Sequence, residues 1–146
     1  MKALLFVCSG NAGRSPAAEY LARDYIAKSN LDMAVQSRGT NVRGHSAADV
    51  QLSTAIPAAN SHVPKLLDEA VIEWADLILT MNRQHKKIVI DMVSNAAEKT
   101  LGLYEYAEGI TKAVIDPGDY GQEDYEMFLE EMKRLVQLSV DKLDAS

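Results

Sequence analysis

Cys8 and Arg14 stand six positions apart in the segment CSGNAGRSP, Cys8 to Pro16, with Gly10, Asn11 and Gly13 between them. These residue types suit a phosphate group. The backbone amides of Ser9, Gly10, Asn11, Ala12, Gly13 and Arg14 can ring an anion, as loop amides do at a helix N-terminus. Arg14 offers a planar fork of donors matched to two phosphate oxygens, which binds the dianion and stabilises transition-state charge; lysine has no such geometry. Cys8 is expected beneath the ring, where the positive field favours a thiolate, and a thiolate below a phosphoryl group is a nucleophile. Gly10 and Gly13 are expected to take positive φ and turn their amides inward. Asn11 is expected to tolerate left-handed backbone or to tie the loop with its side-chain amide. Ser15 either donates to the thiolate or caps the following helix.

Each piece has a plainer reading, since a cysteine closing a buried strand is most often a small core residue. The conjunction outweighs it, because strand, glycines, Asn11, the Arg14 to Pro16 triplet and a helix start occur in the required structural order. The run from Ala3 to Val7 is uninterruptedly apolar and predicts a buried parallel strand. Ser15 and Pro16 mark a helix start, Pro16 in a first-turn position where a missing N–H is tolerated.

Apolar strands alternate with amphipathic stretches along the rest of the chain, which predicts an α/β fold: an open parallel four-stranded sheet with helices on both faces. The expected strands are 3 to 7, 33 to 37, 77 to 81 and 100 to 104. Helices are expected from Ser15 to about Lys28, Ala47 to Ala58, Val63 to Trp74, Arg83 to Val93 and Glu123 to Leu143. The last carries Met127, Phe128, Met132, Leu135, Val136 and Leu138 in near-helical repeat. In such sheets ligands bind beyond the carboxyl ends of the strands where strand order reverses; Cys8 lies at that end of the first strand. The irregular stretch from Ala113 to Gly121 is placed to cover the same edge as a lid.

At 146 residues the chain suits one domain spanning residues 1–146. One cysteine excludes an internal disulfide framework and fits a reducing cytosol. No signal-like segment and no apolar run of about 18 residues occurs, so a cytoplasmic protein without membrane association is expected. A net charge of −6 and a pI near 5.0 argue against non-specific nucleic-acid binding; an anionic substrate must be drawn by a local field. His45, His62 and His85 lack ligand spacing with one another or with Cys8, so neither a metal nor another cofactor is expected.

The string CSGNAGRSPAAE resembles the CxGNxCRSPxAE motif of the low-molecular-weight protein tyrosine phosphatases, and the resemblance runs along the whole chain. Ser37-Arg38-Gly39-Thr40 is similar to the family's SAGT segment, Ser61-His62 to its Ser-His pair, Asp76 to Met81 to its DLILxM strand, and Asp116-Pro117 to its C-terminal DP pair. The resemblance implies a flavodoxin-like fold of the phosphotyrosine phosphatase I type. It also implies a phosphomonoester hydrolase acting on protein phosphotyrosine and small aryl phosphates through a phosphocysteine on Cys8. Asp116 takes the general-acid role from the resemblance alone, since Asp before Pro is otherwise most often a turn residue. His62 is implied to join Asn11, Ser15 and Ser37 in a hydrogen-bond network behind the loop. The implied partners are a phosphorylated protein or small aryl phosphate, with inorganic phosphate as product and the chain acting as a monomer.

The chain departs from the family at four places. Gly13 replaces a common second cysteine, Ala12 a bulkier or hydroxyl residue, and Asn82 an Asp after the methionine; Gly118 and Asp119 stand where aromatics often flank the substrate ring, with Tyr120 one position later. A phosphoarginine phosphatase is the nearest alternative, because some relatives with a small hydroxyl residue at the position of Ala12 prefer that substrate; Ala12 itself decides neither way. An arsenate reductase uses additional cysteines that this chain lacks. A non-catalytic phosphate-binding module fits poorly with retention of Cys8, Arg14 and Asp116 together.

Overall fold

The structure, a computed structural model, describes residues 1–42, 50–118 and 121–146. Four parallel strands form a single sheet: β1 (Lys2–Cys8), β2 (Met33–Gly39), β3 (Leu77–Thr80) and β4 (Thr100–Gly102), in the order β2-β1-β3-β4. The chain runs from β1 outward to β2, then returns to the other side of β1 for β3, so the order reverses beside β1. In register, Cys8 faces Gly39 and Val7 faces Thr80. The reversal therefore opens next to the cysteine.

Alternation along β1 supplies two cores. Leu4, Phe6 and Cys8 face a layer built by α1 (Arg14–Lys28) and by α5 (Leu103–Glu108) and α6 (Gln122–Ala145), whereas Leu5 and Val7 face α3 (Glu69–Trp74) and α4 (Arg83–Met92). A short α2 (Val50–Ala55) precedes a 3₁₀ turn, Pro57–Ser61, on the first side. Because both faces are covered, β1 is apolar from Ala3 onward rather than alternating. Leu4, Leu5 and Phe6 are fully buried, each worth about 1.5–3 kcal/mol of transfer free energy. Polar ends are tied as well. Lys2 Nζ reaches the carbonyls of Leu143 (2.6 Å) and Ser146 (2.7 Å) at the end of α6, a cation where the helix dipole favours one. Asp68 caps α3 by accepting from Val71 N at 2.8 Å.

Several boundaries differ from the sequence reading for local reasons. The expected helix from Val63 is helical only from Glu69; Pro64 and the capping Asp68 keep the preceding stretch extended, and Leu66 forms an isolated parallel bridge with Gly39. The fourth strand ends at Gly102, after which Glu105 turns back to accept from Gly102 N at 3.0 Å and starts α5. On α6, Met132, Leu135 and Val136 are buried, but Met127 and Leu138 point outward at 66% and 42% exposure. Of the helix expected from Ala47, residues 47–49 lie outside the described residues. No helix among the described residues is long and apolar enough to cross a membrane.

Candidate active site

Cys8 ends β1 with its side chain buried, and the chain then turns through residues 9–13 into α1, whose first residue is Arg14. No N–H from Ser9 to Arg14 donates to a protein acceptor among the described residues. A run of unpaired amides is normally satisfied by water or by a bound anion. The loop's left-handed residue is Asn11, at φ 54°; neither Gly10 nor Gly13 has positive φ, which corrects the role expected of the two glycines.

Asn11 is the hub of the loop. Its Nδ2 donates to Ser15 Oγ and Ser37 Oγ, both at 2.9 Å, and its Oδ1 accepts from Lys65 N at 2.9 Å. Its carbonyl accepts from His62 Nε2 at 2.8 Å, which places a proton on that ring nitrogen; Nδ1 faces the Tyr20 hydroxyl at 3.5 Å. Ser15 Oγ stands 2.9 Å from Cys8 Sγ. Gly13, not Ser15, occupies the N-cap position of α1, so the second of the two roles considered for Ser15 does not arise. Ser37 Oγ in turn donates to Glu19 Oε1, and the other oxygen of this buried carboxylate pairs with Arg23. A buried carboxylate needs both partners. Asn11, Ser15, Ser37 and His62 thus come together behind the cysteine.

Arg14 is half-buried and gives one guanidinium N–H to the Val114 carbonyl at 3.1 Å. Val114 N donates to the Met81 carbonyl at 2.7 Å, and Met81 N to the Val7 carbonyl at 3.1 Å, which fastens the segment before Asp116 to the carboxyl edge of the sheet. Asp116 is exposed, and its Oδ1 accepts from Gly118 N at 3.1 Å in a tight turn. Asp119, which stands where an aromatic often flanks the substrate ring, and Tyr120 lie outside the described residues.

Besides Glu19, two contributors escaped the sequence reading. His85, on the first turn of α4, meets Ser9 Oγ at 2.9 Å with Nε2, while its Nδ1 has no partner among the described residues. Burial, together with the positive charge of Arg14, pushes its pKa down to about 4, so it is neutral near pH 7. Gly39 is the other. A Cβ there would lie 2.5 Å from the Ser9 carbonyl, so only glycine lets β2 close against the loop. The one pattern that hinted at it was its place in Ser37-Arg38-Gly39-Thr40.

A buried thiol at the switch point of a parallel sheet, followed by a turn whose amides are unpaired among the described residues and by an arginine at the helix start, fits a cysteine-centred phosphate-loop protein. Residues 3–146 match the family model described as low molecular weight phosphotyrosine protein phosphatase. The chain is 32% identical to a protein-arginine-phosphatase of Bacillus subtilis (strain 168) over 136 residues, covering 91% of each chain. It is 29% identical over 143 residues to the low molecular weight protein-tyrosine-phosphatase PtpB of Staphylococcus aureus, covering 91% of this chain and 93% of that one. The structure of a YwlE arginine phosphatase mutant with a phosphorylated active site serine superposes with a TM-score of 0.89 at 30% identity, covering 97% of this chain and 95% of that one. The chain belongs to the low molecular weight phosphotyrosine protein phosphatase family, and is a cysteine-dependent phosphatase.

Proposed function

We propose that the chain removes phosphate from phosphotyrosine in proteins, and from small aryl phosphates, by two in-line displacements. The observation that carries this reading is the run of amides from Ser9 to Arg14, unpaired among the described residues, that follows the buried Cys8. In the first step the Cys8 thiolate attacks phosphorus, the bond to the phenolic oxygen breaks, and protonated Asp116 gives that oxygen its proton. In the second, Asp116 takes a proton from water, the water oxygen bonds to phosphorus, and the sulfur leaves as thiolate with release of inorganic phosphate. Arg14 and the amides of Ser9, Gly10, Asn11, Ala12, Gly13 and Arg14 hold the equatorial oxygens in both steps. Ser15, Ser37 and His62 support the loop. The chain is read as one domain that acts as a monomer in the cytoplasm.

Phosphoarginine is the second reading, favoured by the likeness to proteins named as arginine phosphatases. The same two displacements serve it, with the guanidinium nitrogen as leaving atom. Turnover of matched phosphotyrosyl and phosphoarginyl peptides by the same preparation separates the readings. A higher kcat/KM on the phosphotyrosyl peptide supports the first, and the reverse order replaces it with the second.

A further inference from the structure

Beside the phosphate loop, the carboxyl edge of the sheet continues into a groove of about 600 Å³. Thr80, in register with Val7 one residue before Cys8, and Gly102 form its floor at the ends of β3 and β4. One wall is the first turns of α4; the other is the 111–113 segment that leads to Val114 and its bond to Arg14. The α4 wall is locked to the loop, because His85 on its buried side meets Ser9 Oγ at 2.9 Å.

The groove is cationic in an acidic chain. Arg83, Lys86, Lys87 and Lys112 line it against two carboxylates, Glu105 and Asp91. Lys86 pairs with Glu105 at 3.3 Å and Lys87 with Asp91 at 2.6 Å. Arg83 and Lys112 have no acidic partner within ion-pair distance among the described residues, Lys112 lying 4.9 Å over the Tyr104 ring. Arg83 and Lys86 also stand at the positive end of the α4 dipole, where acidic residues are the usual choice and the first turn of α4 has none. Cations placed against a helix dipole reinforce the local field instead of cancelling it. The net charge of −6 for the whole chain makes this the opposite of the average surface.

We propose that this groove is a docking site for an acidic stretch of the substrate protein, aspartate and glutamate residues flanking the phosphorylated side chain, with Arg83 and Lys112 as its main contacts. The proposal rests on the reading of the chain as a protein phosphatase. In that arrangement the reacting group enters at Cys8 while its acidic neighbours lie along α4.

The test uses the full chain and two labelled phosphotyrosyl peptides that differ only in flanking residues, acidic or alanine. On Cys8→Ser, acidic flanks are expected to tighten binding about five- to tenfold at low salt, with the advantage vanishing at about 0.5 M salt. Adding Arg83→Glu and Lys112→Glu should abolish that advantage, while the same two changes with Cys8 intact leave p-nitrophenyl phosphate turnover unaltered. Equal affinity for the two peptides overturns the proposal. So does an advantage that survives charge reversal, or an equal loss of p-nitrophenyl phosphate turnover, which would tie the residues to the reacting centre. Oligothymidylate binding more tightly than the acidic peptide, and dependent on the same two residues, would assign the groove to nucleic acid instead. A flank effect on binding without any turnover of phosphopeptide by the unmodified chain supports the groove and defeats the reading of the reaction.

Discussion

Ser15 Oγ lies 2.9 Å from Cys8 Sγ. When Cys8 is the thiolate the sulfur carries no proton, so Ser15, which already accepts from Asn11 Nδ2 at 2.9 Å, is the donor to it. Hydrogen bonds run one way from Asn11 through Ser15 to Cys8, and the other way through Ser37 to Glu19. A thiolate that must both attack and leave is stabilised by the first branch.

Ser15→Ala is therefore expected to lower kcat about 10–100-fold, the range for one hydrogen bond to a charged group. KM for p-nitrophenyl phosphate should change little, because the amides and Arg14 remain. Steady-state kinetics on the purified variant checks this, and an unchanged kcat would remove Ser15 from the mechanism.

Asn11 offers a separation of strain from hydrogen bonding. Asn11→Gly keeps the left-handed backbone and loses only the side-chain bonds, at an expected cost of about 3 kcal/mol for the buried groups left unpaired. Asn11→Ala should lose a further ~1 kcal/mol, because alanine resists φ near 54°. Urea unfolding of the two variants gives the difference directly.

Asp116 is tested by leaving group. Asp116→Asn should slow phenyl phosphate by about 10²–10⁴-fold and an ester of an acidic phenol far less, since only the poor leaving group needs a proton. Equal losses on both esters would make Asp116 a structural turn residue.

His85 predicts a pH dependence of stability. Its folded pKa of about 4 lies below the ordinary value of 6.5, so the unfolded chain binds the extra proton first. The neutral form's contribution is complete above about pH 6.5 and is lost as the pH falls towards 4, about 2–3 kcal/mol in all. In His85→Gln the stability curve between those limits should be flatter by that amount, as measured by chemical denaturation at a series of pH values. A parallel curve would mean that the imidazole is not held neutral in the fold.

The peroxide response turns on Gly13. With no second thiol in the chain, a sulfenic acid on Cys8 should climb to sulfinic and sulfonic forms that thiols do not reverse. A side chain at Gly13 meets nothing within 4 Å, and its φ of −124° lies outside the left-handed region. Gly13→Cys is therefore expected to fold and to trap the oxidised Cys8 as a disulfide. Intact mass after a peroxide pulse, then activity after reductant, distinguishes irreversible oxygen adducts in the native chain from a reversible loss of two hydrogens in the variant.

The strand, loop and helix that carry Cys8 and Arg14 were legible because a continuous apolar run, a turn and Pro16 are local signals. The stretch around Val63 was not. Its apolar spacing mimics a helix, but Val63 and Leu66 are 53% and 59% exposed, and the segment is extended because Lys65 and Leu67 hydrogen-bond to Gly39 across the fold. The positive φ at Asn11 rather than at a glycine was open in the sequence, since asparagine is the other residue that accepts it. Glu19 and His85 were invisible for a different reason. Each gains its meaning from a partner 18 or 76 positions away, and a single sequence carries no record of such pairs.

The loop is assembled from five stretches of chain: 8–15, Ser37 to Gly39, His62 to Lys65, Met81 to His85, and Val114. Each is fastened to it, or to the strand below it, by a hydrogen bond or a close backbone contact. No stretch holds its shape without the others, and the separations between them are long compared with a helix or hairpin. Such contacts form late and together in a refolding chain. Catalysis should accordingly reappear in step with the last global phase of refolding, so that a partly folded chain, however much helix it contains, is silent.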